Sequence, residues 1–187
     1  MHGGLLVRKE EIIHYLMLLG EELEELGVRS PVRILMIGGA YMVTQFESRA
    51  DTKDVDVLVH LDRYSSEYQT FRDAIRFVAS DVQENLKWLS VNIGDFMQEI
   101  GKVPRGQLWL EHGRLKVYVP DAHYVLVLKI LAARDKDLDD LQFLFRHVRI
   151  TKRKQAERLL KKYVGQDILD DEEYAENIQR VLTLFFG

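Results

Sequence analysis

Val32-Arg33-Ile34-Leu35-Met36-Ile37 runs without a break into Gly38-Gly39, and no other stretch of this chain restricts its fold as strongly. The first six residues are mostly apolar and β-prone, as in a buried strand. The seven after the glycines, Ala40-Tyr41-Met42-Val43-Thr44-Gln45-Phe46, suit a short helix. Strand, tight turn and helix therefore follow one another. Glycine accepts positive φ and lets backbone N–H groups approach a guest, while a helix N-terminus adds partial positive charge. The turn is either an ordinary strand-to-helix corner or a cradle for an anion, with phosphate the natural guest.

Asp54-Val55-Asp56-Val57-Leu58-Val59 alternates acid and apolar residue before running apolar, the pattern of a strand that carries Asp54 and Asp56 on one face. Carboxylates about 6 to 7 Å apart repel unless a cation lies between them, and Mg²⁺ prefers such hard oxygens. The other reading is a solvated strand face. Asp135-Lys136-Asp137 and Asp137-Leu138-Asp139 repeat the spacing, but only the first copy sits on an apolar strand behind a glycine turn.

Lys129 interrupts Val125-Leu126-Val127-Leu128 and Ile130-Leu131-Ala132-Ala133. An ammonium on so apolar a helix needs water, an acid or a phosphate. Asp137 and Asp140 lie three apart on the next helix and share a face, with Arg134 one turn earlier. Acids near a helix N-terminus also complement its dipole, so this group is either a solvated face or part of a site.

The chain has 187 residues, 47% hydrophobic, enough for a core in one domain or one domain with a helical extension. A net charge of -4 does not indicate a generally basic nucleic-acid binder, and the absence of cysteine removes disulfides and thiolate metal sites. Residues 1 to 11 form no signal-peptide core and no apolar run reaches membrane-spanning length, so a cytoplasmic protein without membrane contact is expected.

Periodicity predicts an amphipathic helix over 8 to 26, ended by Gly27, and a second from Ser65-Ser66 to about Ser80. A short helix over 95 to 100 and a loop around 101 to 106 follow. Leu108-Trp109-Leu110 and Leu115 to Val119 flank His112-Gly113 as a β-hairpin, and Pro120-Asp121 starts a helix. Helices are expected at 121 to 133, 137 to 147, 151 to 163 and 171 to 185. The fold class is α+β, a small mixed sheet with packed helices and a helical C-terminal third.

Gly38-Gly39-Ala40, the block Arg49-Ala50-Asp51-Thr52-Lys53-Asp54-Val55-Asp56-Val57-Leu58 and the run Leu128 to Leu141 together resemble the nucleotidyltransferase superfamily that includes DNA polymerase beta. More narrowly they are similar to its small bacterial AbiEii-like branch of toxin-antitoxin and phage-defence systems. The resemblance covers about residues 32 to 145. It implies a nucleotidyltransferase-like domain over 1–145, N-terminal helix included, with 146–187 a helical extension packed on the same unit. It further implies transfer of a nucleoside monophosphate from a nucleoside triphosphate, with Mg²⁺ or Mn²⁺, to a hydroxyl of RNA, transfer RNA included, or of protein. A cognate toxin or antitoxin would be the partner. On this resemblance Gly38, Gly39, Arg49, Thr52 and Lys53 bind nucleotide and Asp54 and Asp56 hold metal. Lys129 contacts triphosphate or an active-site carboxylate. Asp137 or Asp140 completes the site, by aligning Lys129 or by accepting a proton from the acceptor hydroxyl.

Two positions depart from the pattern. Superfamily members commonly add a third metal-binding carboxylate from a later strand, and here the candidates are Glu111 and Asp121, each equally explicable as a turn residue or a helix cap. Ala40 stands where many relatives have serine. These departures support the alternative of a catalytically silent regulatory or antitoxin-like binding module.

Residues 146 to 162 carry eight basic side chains against Glu157, and Lys152, Arg153, Lys154 and Arg158 among them either track an RNA backbone or form the wet face of a helix. With Thr151 as N-cap, three cations would occupy a first turn whose dipole opposes them, a repulsion that a phosphate would relieve. His14, His60, His112, His123 and His147 show no paired zinc spacing.

Overall fold

The run from Val32 to Ile37 is a strand, and it lies in the middle of a five-stranded sheet. The computed structural model describes residues 6–46, 48–82, 88–91 and 99–187. The chain divides into two units, Met1–Gly94 with Arg105–Val119 and Asp95–Pro104 with Pro120–Gly187.

In chain order the first unit contains β1 (Val7–Arg8), α1 (Lys9–Glu25), β2 (Val32–Ile37), α2 (Gly38–Gln45), β3 (Asp51–Thr52), β4 (Val55–Val59), α3 (Ser66–Asp81), β5 (Leu89–Ser90), β6 (Gln107–His112) and β7 (Leu115–Val119). The main sheet has the order β5-β4-β2-β7-β6. The β2/β4 and β6/β7 pairs are antiparallel, while β2/β7 and β4/β5 are parallel. A separate ribbon pairs β1 with β3. The fold is therefore α+β with a mixed sheet, as the alternation of patterns in the sequence implies.

Pairing fixes the two faces of the sheet. Val32, Ile34 and Met36 share one face with Val57, Leu115 and Val117, all buried. Helix α1 packs against β7 and α3, burying Ile12, Leu16, Leu19 and Leu23, the positions that recur at helical spacing. Gly20 lies so near the β6–β7 turn that any side chain would strike the His112 carbonyl. Ser65 caps α3 by accepting the Tyr68 N–H at 3.1 Å, and Phe71, Ile75 and Val78 turn inward. Trp88, ahead of β5, donates to the Ile75 carbonyl at 3.3 Å and meets Tyr15 edge-on.

The second unit contains α4 (Ala122–Ala132), a 3₁₀ turn (Asp135–Asp137), α5 (Leu138–His147), α6 (Arg153–Tyr163), α7 (Gln166–Asp170) and α8 (Glu172–Phe186). Asp121 caps α4 by accepting from the His123 and Tyr124 N–H groups. Helix α4 is buried from Tyr124 to Leu131, with α5, α6 and α8 packed against it. The boundary at 145/146 expected from the sequence falls inside this unit. A helix apolar all round needs apolar neighbours, and α6 and α8 supply them.

The helix expected over 95 to 100 lies largely outside the described residues. Among the described residues no helix is long and apolar enough to cross a membrane.

Candidate functional site

Ile37 stands opposite Asp56 in the β2/β4 register, so the glycine turn begins beside a carboxylate. Gly38 has φ +68, and a methyl group there would sit 2.6 Å from Asp56 Oδ2. Only glycine accommodates both the backbone angle and the contact. A methyl group on Gly39 would strike the Thr52 hydroxyl and lie 3.6 Å from an Arg49 guanidinium nitrogen. Arg49 Nε donates to the Asp51 carbonyl at 2.8 Å. The buried Thr52 hydroxyl donates to the Asp54 carbonyl at 3.2 Å, while its backbone pairs with Val7 across the β1/β3 ribbon. Gly38, Gly39, Arg49, Thr52, Asp54 and Asp56 thus gather in one place, and Lys53 is exposed between Thr52 and Asp54.

Helix α2 opens here. Its N-cap residue, Ile37, offers no side-chain acceptor, so an anion seated at the turn would meet unsatisfied N–H groups and the positive end of the helix. Ala40 is fully buried.

Strand β4 begins at Val55, one residue later than the alternation suggests, because Asp54 turns with the preceding loop. Asp54 and Asp56 are half-buried and alternate with buried Val55 and Val57. Among the described residues no group of three or more histidines, aspartates or glutamates is arranged to hold a metal ion. Glu111 pairs with Lys116 at 2.9 Å, in the row of the sheet that contains Arg33. That row is four residues, about 13 Å, from the row of Ile37 and Asp56. Asp121 belongs to the second unit, where it caps α4 and accepts the Tyr163 hydroxyl at 3.2 Å. Asp54 and Asp56 would supply two hard oxygen donors to a divalent cation such as Mg²⁺.

The second unit holds the other cluster. Lys129 Nζ donates to Asp137 Oδ1 and Asp140 Oδ2, both at 2.7 Å, and all three side chains are nearly inaccessible. Arg134 Nε adds a bond to Asp137 Oδ2 at 2.8 Å from a half-exposed position. Burial alone would push the Asp137 carboxyl up, but the bonds and charges of Lys129 and Arg134 hold it below the ordinary aspartate value. The cluster forms because Ala133, in the left-handed region at φ +44, turns the chain sharply after α4. From α8, Asn177 and Arg180 donate to the Leu131 and Ala133 carbonyls and secure that turn.

Helix α6 starts one residue later than expected, with Lys152 at the N-cap. The Gln155 side-chain oxygen accepts from the Thr151 and Lys152 N–H groups at 2.9 and 3.0 Å, and Glu157 pairs with Arg153 at 2.9 Å. Of the cations in this first turn, Arg153 is thus balanced by Glu157. Ala156, Leu159 and Leu160 face inward, and Lys152, Lys154 and Arg158 are exposed.

Sequence reasoning passed over Arg33. It breaks an apolar strand as Lys129 breaks an apolar helix, and that signal was available; its aromatic neighbour Tyr118, 4.7 Å from ring centroid to guanidinium carbon, was not.

No protein-family profile, no curated protein and no solved structure matches the chain.

Proposed function

We propose that this protein is a metal-dependent nucleotidyltransferase that moves a nucleoside monophosphate from a nucleoside triphosphate to a hydroxyl of RNA or protein, releasing pyrophosphate. The observation that carries this reading is the seating of Gly38 against the Asp56 carboxylate, with Gly39 against Thr52 and Arg49. That arrangement brings backbone N–H groups and the Arg49 guanidinium near the Asp56 carboxylate, a combination suited to a metal-bound phosphate. Gly38, Gly39, Thr52 and Arg49 would orient the triphosphate, Lys53 would meet its exposed side, and Asp54 and Asp56 would hold Mg²⁺ or Mn²⁺. The cation, when bound, supplies charge neutralisation at the phosphates and a more acidic attacking hydroxyl. The resemblance to the AbiEii-like branch supports a cognate toxin or antitoxin partner.

The test is incubation with labelled nucleoside triphosphates, Mg²⁺ and total transfer RNA or protein extract. Asp56→Ala is expected to lower labelling by on the order of a hundredfold or more. Equal labelling by both proteins removes Asp56 from the reaction.

One observation favours a second reading, a silent binding module of the same fold: among the described residues no three acidic or histidine side chains are grouped to hold a metal ion, and Glu111 is paired with Lys116. Calorimetry separates the two. Absence of Mg²⁺-nucleotide binding at millimolar concentration, with recovery of a stoichiometric protein partner, selects the module.

A further inference from the structure

Residues 146 to 162 carry eight basic side chains and one acid, Glu157, in a chain whose net charge is -4. Glu157 is already taken by Arg153, which also donates to Gln179 of α8. Lys154, Arg158 and Lys161 follow at i, i+4 and i+7, a single stripe opposite the buried Ala156, Leu159, Leu160 and Tyr163. All three are exposed. Solvated helix faces gain stability by mixing signs one turn apart, whereas like charges at that spacing repel. Among the described residues no carboxylate lies within ion-pair distance of these three. Lys154 also stands in the first turn, where the helix dipole opposes a cation, and the exposed Lys152 at the N-cap adds to it. Arg149, exposed just before, takes the left-handed position that closes α5 at φ +58, where glycine is usual. An anion from outside the chain would offset this accumulation of one sign.

We infer that the stripe Lys154, Arg158 and Lys161, with Lys152 and Arg149 at its entrance, binds the phosphodiester backbone of an RNA acceptor. The choice of RNA rests on the transfer reading above, while the surface belongs to the second unit and not to the glycine turn. Seven residues of helix rise about 10 Å, which suits successive phosphates of a strand better than one compact anion. The stripe is also wholly polar. The apolar residues of α6 are all buried, so it lacks the side chains that would enter a lipid surface. Contacts of this kind hold and orient a strand without reading base edges, and the binding they give is insensitive to sequence.

The experiment is fluorescence anisotropy of a labelled 12-nucleotide single-stranded RNA with the full chain and no nucleoside triphosphate, across a salt series. The triple variant Lys154→Gln, Arg158→Gln, Lys161→Gln should weaken binding tenfold or more. It should also lower the slope of log affinity against log salt by about 2, three phosphate contacts at about 0.7 each. Glutamine keeps the helix propensity of these exposed positions, so circular dichroism should not change. Lys161→Gln alone, with a slope lowered by about 0.7, keeps the test decisive if the triple variant misfolds. Arg72→Gln, exposed on α3 in the first unit, should leave binding as it is. Unchanged affinity and slope in the α6 variants overturns the inference, as does absence of RNA binding by the unaltered protein. An equal loss in Arg72→Gln also overturns it, since net charge alone would then account for binding. Binding of phosphatidylserine vesicles in place of RNA overturns it as well. An RNA complex lost in the triple variant, in a protein that transfers no nucleotide, keeps this surface and removes the transfer reading; labelling of protein without RNA binding does the reverse.

Discussion

The ammonium of Lys129 lies within hydrogen-bond distance of both Asp137 and Asp140, and those two bonds decide what the lysine can do. Breaking such a buried pair leaves an uncompensated charge, at about 3 to 5 kcal/mol. Asp137→Asn is expected to cost that much near neutrality, read from urea midpoints. The pH dependence has a definite sign. Because the folded carboxyl of Asp137 lies below its unfolded value of 3.8, its stabilisation is complete above about that pH and is lost as pH falls through the lower folded value. The gap between the unaltered protein and Asp137→Asn should therefore close in strong acid, and a gap that stays constant down to about pH 2 contradicts the assignment. Much at this scale was legible in the chain. Lys129 and Gly38-Gly39 announce themselves because one residue type conflicts with its surroundings. What each residue meets was less legible: the contact of Gly38 with Asp56 depends on a strand register, and that of Arg33 with Tyr118 on a pairing between distant segments.

At the scale of elements, periodicity located the long helices because each buries one stripe or, for α4, its whole surface. Strands β1, β3 and β5 escaped notice, since two residues carry no period and exist only through their partners. The turn between α4 and α5 also escaped. Ala133 takes a left-handed angle that glycine would adopt freely, and it does so because Arg180 and Asn177 hold the surrounding carbonyls. Ala133→Gly relieves a steric cost of about 1 to 2 kcal/mol and gives back part of it through a more flexible unfolded chain. A net gain of up to about 1 kcal/mol, visible as a thermal midpoint raised by a few degrees, is the expected outcome. A lowered midpoint would mean that the alanine methyl, itself buried, packs better than its backbone angle suggests.

For the whole molecule, the two units are interleaved along the chain rather than consecutive. Cutting after residue 145 therefore removes α6 and α8 from the apolar surface of α4. The fragment 1–145 is expected to bind a hydrophobic dye such as ANS and to lack a single cooperative unfolding transition, unlike the full chain. A dye-silent, cooperatively unfolding fragment would support the boundary suggested by sequence. Nothing in the pattern of residues 122 to 132 states which neighbours will cover them, and the cover comes from segments on both sides of residue 145.

The central strand β2 finds β4 almost at once along the chain, but its other neighbour, β7, ends only at Val119. During synthesis β2 must therefore wait, with one edge unpaired, until more than half of the chain has been made. Parallel pairing over so long a loop is slow. The step that completes this sheet is thus late, and it is the interval in which the nascent chain most needs a chaperone's protection.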